Sequence, residues 1–148
     1  MRAVVQRSFA ARVEVAGEVV GAIRRGLVAF VGAERGDGDD DVRWLASKIF
    51  GLRVFPDDRG KMSRALAEIS GELLVVSQFT LFGDVRKGRR PSFEAAMEPI
   101  EAARRVEELV ALGRSQGLPV ATGRFGADMQ IHVHNDGPVT LFLDSRAR

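Results

Sequence analysis

Two continuous apolar runs of strand length constrain the fold of this chain more than any other feature. Residues 26–32 (GLVAFVG) and 72–79 (ELLVVSQF) do not alternate between polar and apolar side chains. Runs of this length without alternation are typical of strands that are buried on both faces. We therefore expect two such strands at the centre of the structure.

Apolar residues recur at helical spacing in two further segments, 39–51 and about 99–112. The first stripe consists of Val42, Leu45, Ala46 and Ile49, and the second of Ile100, Ala103, Val106 and Val110. Asp39, Asp40 and Asp41 open the first segment, where one acid caps the helix and the others favour the positive end of its dipole. Pro99 suits the first turn of the second helix, and Gly113 or Gly117 is expected to end it.

The remaining pattern predicts short strands joined by turns. We expect strands at 2–8, 11–16, 18–23, 118–122, 127–134 and 138–143, with a hairpin around Gly17 and a turn at 56–60. Met129, Ile131 and Val133 fall on one face of their strand. This order of elements predicts a mixed α/β (α+β) fold, and the length predicts a single domain over residues 1–148.

Composition excludes several classes of protein. The chain has no cysteine, which excludes disulfides, thiol nucleophiles and thiolate metal sites. No apolar run approaches the roughly 18 residues of a membrane helix, and the first residues lack the apolar stretch of a signal peptide. We expect a cytoplasmic protein that does not contact membranes and needs no cofactor or metal.

Charge is unevenly distributed although the net charge is only +2. Residues 34–41 are acidic, whereas Arg86, Lys87, Arg89 and Arg90 face only Asp84 in the segment 83–91. A basic segment rich in arginine can steer a polyanion, but a solvated loop explains the same charges.

Most catalytic templates fail on this sequence. It has no Gly-x-Ser-x-Gly elbow and no phosphate-binding loop before a Lys-Ser/Thr pair. His132 and His134, with Asp128 on the same strand face, allow a metal site, but exposed histidines are commoner there. Ser77 and Thr80 are hydroxyls at a strand end, where they serve either chemistry or hydrogen bonding of the strand end.

Two segments nevertheless resemble the signature motifs of the D-aminoacyl-tRNA deacylase family, also called D-tyrosyl-tRNA deacylases. They are Ser77-Gln78-Phe79-Thr80-Leu81 and Asn135-Asp136-Gly137-Pro138-Val139-Thr140. The resemblance extends over nearly the whole chain through Gln6-Arg7, Gly60-Lys61-Met62, Arg90-Pro91-Ser92-Phe93 and the segment 122–130. The resemblance includes the Ser-Gln-Phe-Thr sequence, which implies that the chain belongs to the branch of the family that is specific for D-amino acids.

The resemblance implies an ester hydrolase that releases D-amino acids from tRNA during translation, and also glycine from tRNA that carries it wrongly. It implies a small barrel-like mixed sheet with two flanking helices. It also implies a homodimer in which Gly137-Pro138, joined by a cis peptide, enters the partner's pocket and meets the substrate's amino group.

The resemblance further assigns roles to particular residues. Ser77, Gln78, Phe79 and Thr80 form the catalytic segment, in which the backbone amides of Phe79 and Thr80 bind the oxyanion. Arg7 orients Gly137-Pro138, and Phe125, Met129 and Asn135 line the substrate pocket. Lys61, Arg64, Lys87, Arg89 and Arg90 are expected to contact tRNA.

Two alternatives belong to other classes. The basic segment would also suit a nucleic-acid-binding protein without hydrolytic activity. A metal-dependent hydrolase built on His132 and His134 is the other, and it would lose activity with a chelator.

Overall fold

The computed structural model describes residues 1–148, which form eight strands, two α-helices and three short 3-10 turns. The strands are β1 (Arg2–Val15), β2 (Glu18–Ile23), β3 (Gly26–Gly32), β4 (Phe55–Pro56), β5 (Met62–Arg64), β6 (Glu72–Ser77), β7 (Val120–Thr122) and β8 (Gln130–Asp144). The helices are α1 (Asp39–Gly51) and α2 (Pro99–Ser115). Neither helix combines the length and the apolar character required to span a bilayer.

Six strands form one mixed sheet around the long strand β1. The order is β2–β1–β3–β6–β7, and β8 pairs with the other edge of β1. The β3–β6 and β6–β7 pairs are parallel, and all pairs that involve β1 are antiparallel. A Cβ atom on Gly21 of β2 would lie 2.2 Å from the carbonyl oxygen of Thr122 in β7, so these two strands approach closely and the sheet curls into a nearly closed barrel. The expected barrel-like mixed sheet with two flanking helices is confirmed.

The two apolar runs are strands with both faces buried, as predicted. Side chains of β3 and β6 alternate between a large core under the helices and a smaller core inside the barrel. Leu27, Ala29, Val31, Leu73 and Val75 belong to the first core, and Val28, Leu74 and Val76 to the second. Because each face meets apolar neighbours, neither strand has a polar side to alternate with.

The acidic residues at the start of α1 have structural partners. Asp41 accepts a hydrogen bond from the Gly38 amide at 2.9 Å, which satisfies a free donor of the helix start. Asp39 accepts from Arg105, a buried arginine of α2, and this hydrogen bond lowers the pKa of the Asp39 carboxyl. The cluster therefore joins the two helices, and the structural explanation drawn from the sequence is sufficient.

The predicted apolar stripe of α2 is only partly correct. Ile100 is 90% exposed, whereas Val110 and the partly buried Val106 pack on the large core as predicted, together with Ala102 and Leu109, which the predicted stripe omitted. Ile100 lies in the first turn, outside the face of the helix that packs on the core. The helix also extends to Ser115, just before Gly117, whose φ of +79° suits a glycine after a helix end.

Strand boundaries differ from the prediction at three places. The segments 2–8 and 11–16 are one strand, β1, and the segments 127–134 and 138–143 are one strand, β8. The strand predicted at 72–79 stops at Ser77, and residues 79–82 form a 3-10 turn. Within β1 and β8 the local pattern was interrupted because the register of the two strands shifts there, which separates stretches of regular alternation.

The packing of β3 against β6 predicts the effect of a single methyl group. A Cβ atom on Gly26 would lie 1.8 Å from the carbonyl oxygen of Glu72, and the backbone cannot yield locally because it is paired on both sides. We expect Gly26→Ala to lower the free energy of unfolding by about 3 kcal/mol or more, measured by urea denaturation.

Gly51 provides the matched control, since a Cβ atom at this last residue of α1 meets no atom within 4 Å. Gly51→Ala should leave stability within about 0.5 kcal/mol or raise it. Equal stability of the two variants would contradict the tight β3–β6 contact.

Candidate active site

The carboxyl ends of β3 and β6 meet at one edge of the sheet because the two strands are parallel neighbours. The chain leaves β6 at Ser77, and the Gln78 amide donates to the Val31 carbonyl at 2.8 Å, which ties the exit of β6 to the end of β3. Residues 79–82 then turn sharply. Such strand ends are the usual place for ligand sites in sheets with parallel strands.

The turn after β6 presents two backbone amides. The Leu81 amide donates to the Gln78 carbonyl at 3.4 Å, and it is the first amide that bonds within the turn. The preceding amides, of Phe79 and Thr80, have no partner within it, as expected for the first residues of a helical turn. Adjacent amides of this kind can bind an oxygen that acquires negative charge.

A cavity of about 580 Å³ lies beside this turn. Its volume lies in the range of small-molecule binding sites. Among the predicted site residues, Ser77, Gln78, Phe79, Phe125 and Met129 line it, whereas Thr80 and Asn135 do not. Its wall is mostly apolar, so few side chains are available for chemistry.

The Thr80 hydroxyl has an amide as its neighbour. It accepts a hydrogen bond from the side-chain nitrogen of Gln78. An amide nitrogen is not a base, so this contact does not activate the hydroxyl as a nucleophile. The backbone amide of Thr80 is one of the two amides without a partner in the turn.

Two aromatic rings form one side of the cavity. The ring of Phe79 meets that of Phe93 edge to face, with 5.0 Å between centroids, and both residues line the cavity. Sequence reasoning missed the segment 93–99 as a wall of the cavity. The only signal for it was the motif Arg90-Pro91-Ser92-Phe93, which was noted as part of the family resemblance without a role.

Arg7 holds the segment that precedes Gly137. Its Nε donates to the Asp136 carbonyl oxygen at 3.2 Å and lies 3.1 Å from Oδ2 of Asp136, and its Nη2 donates to Oδ1 at 3.2 Å. Its Nη1 donates to the Val54 carbonyl. Both side chains of the pair are largely buried. Arg7 therefore joins β8 to the segment before β4, a contact across 47 residues that no sequence pattern indicates.

Gly137 occupies a conformation that favours glycine. Its φ is +126°, and an added Cβ atom would lie 2.9 Å from the Val139 amide nitrogen and 3.4 Å from Nη2 of Arg7. The Gly137–Pro138 peptide bond is cis, as the resemblance implies. The backbone at this point is therefore defined by glycine, by proline and by the adjacent Arg7–Asp136 pair.

The two motifs do not meet within one chain. Gly137 and Pro138 are both exposed, and neither lines the cavity beside Ser77 and Phe79. The single chain thus has a mostly apolar cavity at one place and an exposed, rigidly held backbone segment at another.

The basic segment is a loop closed by a small bridge. Asp84 and Ser92 exchange two backbone hydrogen bonds, of 2.8 and 2.9 Å. Arg86 pairs with Asp84 and lowers the pKa of that carboxyl to about 2. Lys87, Arg89 and Arg90 are exposed and form no ion pair. Their charges are therefore free for an external anion.

The two basic residues predicted outside this loop differ from each other. Lys61 is exposed, whereas Nη2 of Arg64 lies 2.7 Å from Oδ1 of Asp58. An arginine that is already paired presents less net charge to a ligand.

The histidines of β8 have protein partners. Nε2 of His132 lies 3.5 Å from Glu14, and the ring of His134 contacts that of Phe9 at 5.2 Å between centroids. No group of three or more His, Asp or Glu side chains is placed to hold a metal ion.

Comparison with known proteins extends over nearly all of the chain. The family model described as D-Tyr-tRNA(Tyr) deacylase matches residues 4–144. A D-aminoacyl-tRNA deacylase of Sorangium cellulosum is 64% identical over 147 residues, which cover 99% of this chain and 98% of the relative. One of Geobacter sulfurreducens is 53% identical over 148 residues, covering 100% and 97%.

Two solved structures share the fold. The c-Myc DNA unwinding element binding protein superposes with a TM-score of 0.91 at 40% identity, covering 97% of this chain and 98% of that one. A probable eukaryotic D-amino acid tRNA deacylase superposes with a TM-score of 0.80 at 18% identity, covering 96% and 97%. The second likeness concerns the fold alone.

Proposed function

The chain belongs to the D-aminoacyl-tRNA deacylase family, and we propose that it hydrolyses the ester of D-aminoacyl-tRNA in a cavity that two copies of the chain complete. The reaction releases the free D-amino acid and tRNA, which is proofreading of handedness in translation. The observation that carries the proposal is the pairing of an apolar cavity beside two free amides with a separate, exposed Gly137–Pro138 segment.

The Gly137–Pro138 segment is proposed to read the handedness of the substrate. A D-amino acid differs from its L-isomer by the exchange of two substituents on Cα, so an enzyme that accepts many D side chains must recognise the groups they share. Backbone carbonyl oxygens accept hydrogen bonds from the α-ammonium, and their positions do not depend on a rotamer. Arg7, through Asp136, fixes the orientation of these carbonyls.

The separation of the two motifs supports a homodimer in this proposal. In one chain, Gly137 and Pro138 do not reach the cavity that Ser77, Gln78 and Phe79 line. They are exposed on β8, a strand that pairs only with β1 and leaves its other edge open. A second copy related by a two-fold axis would bring the Gly137–Pro138 segment of each chain to the cavity of the other.

Bond cleavage is assigned to water and to the backbone. An aminoacyl ester is already activated, so positioning and charge stabilisation supply much of the required rate. Water attacks the carbonyl carbon, helped by the 2′-hydroxyl of the tRNA, and the amides of Phe79 and Thr80 stabilise the oxyanion. Collapse of this intermediate breaks the bond to the ribose oxygen, which takes up a proton.

The substrate reaches the cavity from the side of the basic loop in this proposal. Lys87, Arg89 and Arg90 offer unpaired charge for tRNA phosphates, with Lys61 as a further contact and the paired Arg64 as a weaker one. Phe125 and Met129 line the pocket for the terminal nucleoside, and Asn135 belongs to the segment that a second copy contributes. The place of action is the cytoplasm, where charged tRNA is used.

The activity is tested with matched substrates that differ only in handedness. We expect release of a D-amino acid from tRNA to exceed release of its L-isomer by about a hundredfold or more, since an L-substrate loses ammonium hydrogen bonds worth roughly 3 kcal/mol. Glycyl-tRNA lacks a side chain to exclude and should also be cleaved. Tight binding of tRNA without release of either isomer would favour a binding protein instead.

The role of Thr80 is tested by removing its hydroxyl and by removing a neighbouring amide. Thr80→Ala keeps the backbone donor, so the single-turnover rate should stay within about tenfold of the parent. Phe79→Pro removes one amide at the first position of the turn, where proline fits, and should reduce the rate by about a hundredfold or more. A trapped acyl ester on Thr80, or a loss in Thr80→Ala as large as that in Phe79→Pro, would contradict the assignment of bond cleavage to water and the backbone amides.

Sharing of the site between subunits is tested by mixing two damaged chains. Gly137→Ala distorts the contributed segment, and Phe79→Pro damages the cavity, so each variant alone should be nearly inactive. After subunit exchange, half of the dimers are mixed and each has one intact site, which should restore about a quarter of the parental activity. A mixture that stays as inactive as its components would show that Gly137 serves its own chain.

A further inference from the structure

The cavity has one pair of charged residues, Arg35 and Glu98, at its rim. All other residues that line it are apolar or uncharged. Nη2 of Arg35 lies 3.0 Å from Oε1 of Glu98, and both side chains are largely exposed, at 63% and 73%. A charged pair at the opening of an apolar cavity is in a position to meet a charged part of a ligand whose apolar part lies inside.

Arg35 is held in place by contacts that do not use its Nη atoms. Its amide donates to the Ala95 carbonyl at 2.9 Å, and its Nε donates to the Ala96 carbonyl at 3.2 Å. Its own carbonyl accepts from Nη2 of Arg146 at 2.6 Å. The backbone and the Nε end of the guanidinium are therefore fixed, and the Nη edge can change partners without moving the loop.

Little free energy is needed to replace Glu98 as the partner of Arg35. An exposed pair of this kind contributes about 0–1 kcal/mol because water screens both charges. A phosphodiester accepts two parallel hydrogen bonds from the planar guanidinium, which is a stronger arrangement than a single contact to an exposed carboxylate. The pair thus keeps Arg35 oriented toward the rim until an anion replaces Glu98.

We propose that Arg35 forms a binding site for a backbone phosphodiester at the 3′ end of the tRNA, and that Glu98 occupies this site in the free protein. This inference rests on the proposed function, because it takes the occupant of the cavity to be the terminal nucleoside. The phosphodiester that precedes this nucleoside must leave the cavity over its rim. It would be repelled by Glu98 unless Arg35 received it.

The position of Arg35 relative to the basic loop supports the same path. The chain leaves the loop at Ser92, and residues 93–99, which include Glu98, then form a wall of the cavity. Met97 donates its amide to the Ala33 carbonyl at 3.0 Å, which joins this wall to the segment that carries Arg35. Charged groups for nucleic acid therefore lie at both ends of one wall.

Two substrates separate this contact from the chemistry. One is D-aminoacyl-tRNA, and the other is the same amino acid esterified to adenosine, which has no phosphate. For Arg35→Gln we expect KM for the tRNA substrate to rise about tenfold more than KM for the adenosine ester, equivalent to one charge-assisted hydrogen bond at 1.4 kcal/mol per tenfold. The slope of log KM against log salt for tRNA should decrease by about 0.7, as for one phosphate on a single strand.

Variants of Glu98 show whether Arg35 contacts a phosphate or only neutralises the charge of Glu98. Glu98→Gln frees Arg35 and removes a repelling charge, so it should lower KM for tRNA. In the double variant Arg35→Gln/Glu98→Gln, KM for tRNA should remain high, because no group replaces the lost contact. A return of the double variant to the parental KM would overturn the proposal, since it would show that Arg35 only cancels the charge of Glu98.

Arg104→Gln is the matched control. Arg104 is also on the protein surface and is paired, with Nη2 at 2.6 Å from Oε1 of Glu101, but it does not line the cavity. It should leave both KM values unchanged. If Arg35→Gln changes both KM values equally while deacylation persists, the phosphate site is overturned. If the parent protein cleaves neither D-ester, the proposed function is contradicted instead.

Discussion

The contact of Arg7 with Asp136 fixes the backbone segment on which the proposed recognition of the substrate depends. The guanidinium of Arg7 donates hydrogen bonds to the carbonyl oxygen and the carboxylate of Asp136 on β8. It also donates to the carbonyl of Val54, just before β4. It lies on β1 at the point where the register against β8 shifts. A shift of register normally leaves backbone groups free to move, and here a largely buried ion pair occupies that place instead. Gly137 and Pro138 therefore form an exposed segment that is nevertheless fixed.

Local chemistry predicted the elements of this fold better than their boundaries. The apolar runs at 26–32 and 72–79 identified β3 and β6 because a strand buried on both faces has a continuous run of apolar residues. No comparable pattern showed that β1 and β8 are each continuous, because the register shifts between them interrupt the alternation that is typical of a strand. Ile100 shows a second limit: the spacing of apolar residues locates a helix, but the sheet beneath it decides which of them are covered.

The candidate site was accessible to sequence reasoning only through resemblance. The spacing of residue types left Ser77 and Thr80 open and identified no assembled catalytic group. The structure explains this, because the two free amides of the turn beside the cavity belong to the backbone. Every residue except proline has a backbone amide, so no pattern of side chains can indicate which amides bind an oxyanion. Sequence reasoning assigned no role to Arg35 or Glu98, since their position at one rim depends on the segment 93–98 crossing the end of β3.

A backbone carbonyl also solves a conflict that a charged side chain would create. The proposed reaction needs an acceptor for the substrate's ammonium close to a carbonyl oxygen that becomes negative. A carboxylate would hold the ammonium more strongly, but its full charge in an apolar cavity would oppose the oxyanion and would itself need a counter-ion. Carbonyl and amide dipoles have no net charge, so both can act within a few ångströms of each other. The charges that keep this backbone in place, on Arg7 and Asp136, cancel outside the cavity. The remaining charges, on Arg35 and Glu98, stay at the rim, where water screens them and where the proposed path of the tRNA crosses.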